Sequence, residues 1–130
     1  MRIPGLTLQL DADALEWRET RTPGVRWYLL HSEQPDEASG RRKPSDTTAL
    51  IRMEPGCGYP PHKHLDIEEV FVLAGGYGDE RGQHVAGDYV RYAAGSVHAP
   101  IASGDPSQPV GPENPACVLF AIARGGIELE

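Results

Sequence analysis

Disulfide bonding is the first device for which this chain has little material. Its 130 residues carry two cysteines, Cys57 and Cys117, widely separated and outside any Cys-x-x-Cys pair, which excludes a disulfide framework. Long apolar runs are also missing. None approaches the roughly twenty residues that cross a bilayer as a helix, so no membrane partner is expected. Basic residues are scarce: twelve Lys and Arg stand against nineteen Asp and Glu, a formal net charge of −7. Phosphate binding needs the opposite balance, which argues against a nucleic-acid partner. The first residues, Met1 to Leu8, lack the apolar core of a secretory signal, so a cytoplasmic location is expected. Thiols kept reduced there are packed or reactive rather than bridged. Internal repeats and low-complexity stretches are absent too, which excludes solenoids and propellers.

Glycine and proline, by contrast, are plentiful at fifteen and twelve, as suits many tight turns between short strands. A length of 130 residues is read as one domain, 1–130, able to bury a core without staples. Residues 6–10 alternate apolar and polar like a half-buried strand. Asp13 to Glu19 has room for one helical turn, with Trp17 expected to pack across an open barrel end. Val25 to Leu30 and Thr47 to Met53 read as strands. The polar stretch between them, with Arg41, Arg42 and Lys43, reads as a solvated surface loop. Val70 to Leu73 is continuously apolar, as in a strand covered on both faces. Gly75-Gly76 and Asp79-Glu80-Arg81-Gly82 read as turns. Asp88 to Tyr92, Val97 to Ala102, Cys117 to Ala123 and Ile127 to Leu129 complete the strands, and Ser103 to Ala116, with four prolines, is a long extended loop. Short strands at such spacing predict an all-β sandwich or barrel.

The chemistry concentrates in residues 56–75. His62 and His64 stand two apart, so on a strand both side chains project from one face. Glu68, four further along, has the same parity, and His98 follows a turn at Gly95. Three imidazoles and a carboxylate suit a divalent metal, namely Fe(II), Mn(II), Ni(II) or Zn(II). Four protein ligands on a five- or six-coordinate ion leave positions free for a small-molecule ligand or substrate. Because the metal needs neutral imidazoles, affinity is expected to fall as pH drops toward about 6.5. Glu69 is the rival to Glu68 if a bulge turns it inward. His31 and His84 fall outside this constellation. Cys57 lies close to it in sequence, and Tyr59, Phe71, Tyr89, Arg91 and Tyr92 are candidates to line the mouth.

The order Gly56, five residues, His62-x-His64, three residues, Glu68, six residues, Gly75 resembles the first cupin motif. Gly87, Gly95 and His98 resemble the second, with Ala93 in place of its usual Pro and Ala102 in place of its Asn. The runs 68–75, 79–82 and 86–91, with Pro23-Gly24-Val25 and 48–52 upstream, are similar to the ChrR-like cupin family. That resemblance implies a small double-stranded β-helix barrel of jelly-roll type, with a metal on His62, His64, Glu68 and His98. It also implies a homodimer, paired through sheet edges or exchanged N-terminal strands. Namesakes of the family are zinc-binding anti-sigma factors with a separate helical domain. No such domain is legible here, so sigma-factor binding is not expected to follow. Stand-alone relatives resemble Fe(II) dioxygenases that cleave diketones and related oxygenated compounds. The leading expectation is therefore a metal-dependent dioxygenase; the alternative is a non-catalytic metal- or ligand-binding sensor. Cupin isomerase chemistry on a sugar is a third and weaker reading.

Overall fold

The computed structural model describes residues 15–32, 46–125 and 127–129. The expected strand at 6–10, residues 13–14 of the expected helical turn and the basic stretch 41–43 lie outside them. Twelve strands follow in order: β1 (Arg18–Glu19), β2 (Val25–Ser32), β3 (Thr47–Met53), β4 (His62–His64), β5 (Glu68–Ala74) and β6 (Gly76–Asp79), then β7 (Gly82–Val85), β8 (Tyr89–Tyr92), β9 (Val97–His98), β10 (Ile101–Ala102), β11 (Cys117–Ala123) and β12 (Ile127–Leu129). Among the described residues there is no helix, in line with the all-β expectation. Where the sequence had room for a helical turn, Arg18 pairs with Trp27 and Glu19 with Arg26 as a short strand. Trp17 stands edge-on to Tyr28.

All strand pairings among the described residues are antiparallel. One sheet of six strands runs β1-β2-β3-β11-β5-β8, and two sheets of three run β10-β6-β7 and β12-β4-β9. Strand alternation decides what each face carries. Thr47, Ala49, Ile51 and Met53 of β3, Leu119, Ala121 and Ala123 of β11, and Glu68 and Val70 of β5 face one interior cavity of about 200 Å³. Tyr77 of β6, His62 of β4 and His98 of β9 close it from the other side. The space exists because small residues meet in the middle of the large sheet: Ala49 pairs directly with Ala121, where larger aliphatics would fill the gap.

Two expectations need correction. The run Val70 to Leu73 is not covered on both faces. Val70 and Val72 are buried, whereas Phe71 and Leu73 are half-buried on the outer side. The segment 97–102 is not one strand, since β9 pairs with β4 and β10 with β6 in a different sheet. The four motif glycines have a common reason: Gly56, Gly75, Gly87 and Gly95 have φ of 79°, 62°, 94° and 82°, a region that a Cβ makes costly.

Candidate metal centre

Strand β4 is three residues long and alternates buried, exposed, buried, so His62 and His64 point inward and Lys63 outward. His98 is brought beside them because β9 pairs with β4 and places it directly opposite His62. The turn at Gly95 fixes this register: Gly95 N–H donates to His64 O at 2.7 Å and His64 N–H to Ser96 O at 2.9 Å. Ring centroids are 4.4 Å apart for His62 and His98, 4.7 Å for His64 and His98, and 5.0 Å for His62 and His64. One ring nitrogen from each lies within 4.8 Å of the other two.

The hydrogen bonds assign the protons. His62 Nδ1 is 3.1 Å from the Pro60 carbonyl, which only accepts, so Nδ1 carries the hydrogen. The Ser96 hydroxyl donates its one hydrogen to Ala93 O at 2.6 Å, so at 3.0 Å it accepts from His64 Nδ1. His98 Nδ1 donates to Asp79 Oδ2 at 3.1 Å. Every Nε2 is therefore left with a lone pair. Those of His62 and His64 face each other at 3.2 Å, and His98 Nε2 is buried with no partner among the described residues. Lone pairs set together in this way repel unless a cation lies among them. Fixed Nδ1 acceptors are also what orient imidazoles toward a metal. The donor set fits a divalent metal ion.

Glu68 is brought beside the imidazoles by a route other than strand parity, and it falls outside the group of three whose donor atoms lie within 4.8 Å of one another. Strand β4 ends at His64, the chain bends at 65–67, and Glu68 opens β5 in the six-stranded sheet. Its Oε2 lies 3.6 Å from His64 Nε2. Glu69 points to the outer side, where the Tyr89 hydroxyl donates to its Oε1 at 2.8 Å. Burial pushes the Glu68 carboxyl up to about 7. Burial, with His98 and His62 adding to it, pushes His64 down to about 4, and burial also lowers His62 and His98.

Sequence reasoning missed Asp79, which it placed in a polar turn. Asp79 ends β6 with its side chain fully out of solvent. Oδ2 accepts from Tyr92 OH at 2.5 Å and from His98 Nδ1, and Oδ1 accepts from His84 Nε2 and from Arg81 N–H, both at 3.0 Å. Burial would raise its pKa, but the bonds from Tyr92, His84, His98 and Arg81 hold it down at about 2. Asp79 sits at the end of a four-residue strand too short to announce itself in the sequence. His84 thus touches the carboxylate that orients His98, while His31 is exposed. Tyr92 is buried against His98 and His64 at 4.2 and 5.1 Å. Tyr59 lines the cavity, whereas Phe71 and Tyr89 border a hollow on the outer face and Arg91 is exposed. Cys57 is half-buried and Cys117 buried, both as free thiols; burial pushes Cys117 up to about 12.

A family model described as the ChrR cupin-like domain matches residues 7–108. No curated protein matches the chain in sequence. Among solved structures, the fold is similar to that of the anti-sigma factor ChrR of Rhodobacter sphaeroides, crystallised in complex with SigE. That match has a TM-score of 0.63 and 23% identity, over 86% of this chain and 50% of that one. The chain therefore spans half the length of that relative. A putative acetylacetone dioxygenase from Methylibium petroleiphilum PM1 matches at TM-score 0.68 and 18% identity, over 100% and 85% of the two chains. An acetylacetone dioxygenase from Acinetobacter johnsonii matches at 0.66 and 15%, over 98% and 78%.

Proposed function

Because the chain belongs to the ChrR cupin-like domain family, we propose that it is a metal-dependent dioxygenase acting on a small oxygenated compound such as a diketone. His62, His64, His98 and Glu68 would hold the divalent ion. The supporting observation is the convergence of three unprotonated imidazole nitrogens on the edge of an apolar cavity of about 200 Å³. Such an ion supplies Lewis acidity and neighbouring positions for two oxygen-bearing reactants. The protein's own residues do the rest. Asp79, Pro60 O and Ser96 orient the imidazoles, and the alanine-lined wall admits the substrate's carbon skeleton. Val70, Leu119 and Met53 exclude water, which strengthens every polar contact inside.

The test is metal content after purification without added metal, followed by oxygen uptake with acetylacetone. Stoichiometric iron with oxygen consumption is expected; tight zinc with no turnover would favour a second reading. In that reading the domain is a non-catalytic metal- or ligand-binding sensor, supported by the match to half of the ChrR chain. Ala121→Leu separates substrate access from metal binding. It fills the space opposite Ala49 and is expected to lower acetylacetone-dependent oxygen uptake about 100-fold or more, with metal content unchanged. A single domain over 1–130, a cytoplasmic location and a homodimer belong to the same proposal. The dimer is supported by the apolar hollow that Phe71, Leu73, Phe120 and Ile122 make on the outer face.

The pH dependence differs from that of free histidine. With His64 down at about 4 and Glu68 up at about 7, protons compete with metal chiefly at the carboxylate. Affinity is expected to rise about tenfold per pH unit below 7 and to level off above it. In the metal-free protein the sign is opposite. A carboxyl bound more tightly to its proton when folded contributes stability that is lost as pH rises from 4.5 to about 7. Glu68→Gln should therefore stabilise the metal-free protein at pH 8, by up to about 3 kcal/mol, while flattening the pH dependence of metal binding. Denaturant titrations at pH 5 and 8 decide this.

A further inference from the structure

Two residues that line the cavity carry hydrogen-bond donors that the fold leaves unused. Trp27 Nε1 and the Tyr59 hydroxyl are buried, and neither has a partner among the described residues. Both rings line the cavity, and they pack against each other at 6.2 Å between centroids. Tyr59 also stands edge-on to His62 at 5.8 Å, so the pair borders the candidate metal centre. Buried polar groups are paired in nearly all proteins, and an unmet one calls for a reason. The rest of the lining is aliphatic apart from Thr47, Tyr77 and the candidate metal-centre residues His62, Glu68 and His98. An indole N–H only donates, and a phenol carries a proton at neutral pH.

We infer that Trp27 and Tyr59 are the specificity-determining residues of this cavity and commit it to a small carbonyl compound held by its acceptor oxygens. An ammonium ligand has no lone pair to offer and would leave both of these hydrogens unmet. The inference rests on the metal reading above and adds to it which end of the ligand the protein, as opposed to the ion, recognises. The size fits: about 200 Å³ is below the roughly 300–1,000 Å³ of sites for drug-sized ligands.

Tyr59→Phe keeps the ring and removes only the hydroxyl; Trp27→Phe removes the N–H. The probe is acetylacetone, titrated calorimetrically into full-length protein loaded with Zn(II), which does not turn over. Each variant is expected to bind acetylacetone about tenfold more weakly with zinc stoichiometry unchanged. Without ligand, Tyr59→Phe should melt at or above the wild-type temperature, because an unmet donor has been removed. A Kd within twofold of wild type in both variants overturns the inference, as does failure of wild type to bind acetylacetone. So does a fall in Tm of more than about 4 °C for Tyr59→Phe, which would show that the hydroxyl serves the fold. Failure of the metal reading registers separately, as wild-type zinc stoichiometry well below one. The same two variants, titrated metal-free, then decide the inference.

Discussion

His98→Ala is expected to reduce divalent-metal affinity by more than the 10–100-fold that outer-shell losses cost, with the barrel still folded. The argument is geometric. Among the described residues, His98 supplies the one histidine Nε2 that is buried without a partner, and it stands on the strand directly opposite His62. Removing it would delete a ligand while leaving His62 and His64 held by their Nδ1 contacts to Pro60 O and Ser96 Oγ. The fold should tolerate the change, since the backbone of β9 keeps its pairing with β4 and the vacated volume adjoins an existing cavity. Competition with a chromophoric chelator gives the affinity, and far-UV circular dichroism checks the fold. Stoichiometric metal in the variant would remove His98 from the ligand set.

Asp79→Asn carries the second large effect, and it is one on stability as well as on metal. The carboxylate accepts from four donors at once, and an amide replaces one acceptor oxygen with an NH2 group. Whichever way the amide turns, it faces donors with a donor, either at Tyr92 and His98 or at His84 and Arg81. Leaving buried donors unmet costs roughly 1–3 kcal/mol each, so a loss of about 3 kcal/mol is expected. Metal affinity should fall 10–100-fold because His98 loses the contact that fixes its proton on Nδ1. His84→Ala, which leaves that contact in place, should not share this loss. The acid side gives a further check. A carboxyl held at about 2 in the fold against 3.8 otherwise contributes stability that is present above about pH 4 and lost as pH falls toward 2. The Asn variant lacks that segment of the curve.

Most of the barrel was legible because alternation and turn residues record it directly. Thr47 to Met53 and Cys117 to Ala123 have their expected bounds, and the motif glycines adopt the positive φ that accounts for their place in the motif. Legibility ended where sequence order and spatial order part. Glu68 was placed by counting along one strand, yet it reaches His64 from another sheet after the bend at 65–67. The segment 97–102 looked continuous, and only pairing with two different partners divides it. Asp79 was invisible as a functional residue. Its importance comes from contacts with His84, Tyr92 and His98, which lie 5, 13 and 19 positions further along and which no local pattern encodes. The two unmet donors at Trp27 and Tyr59 are likewise a property of packing.

The imidazoles are carried by a three-stranded sheet and the carboxylate by the first residue of a strand in the six-stranded one. An ion gripped by all four would be a rivet through both walls. Prising the walls apart would then mean surrendering a ligand, so occupancy and rigidity would be two readings of one event. A chelator, on this view, loosens the container along with emptying it.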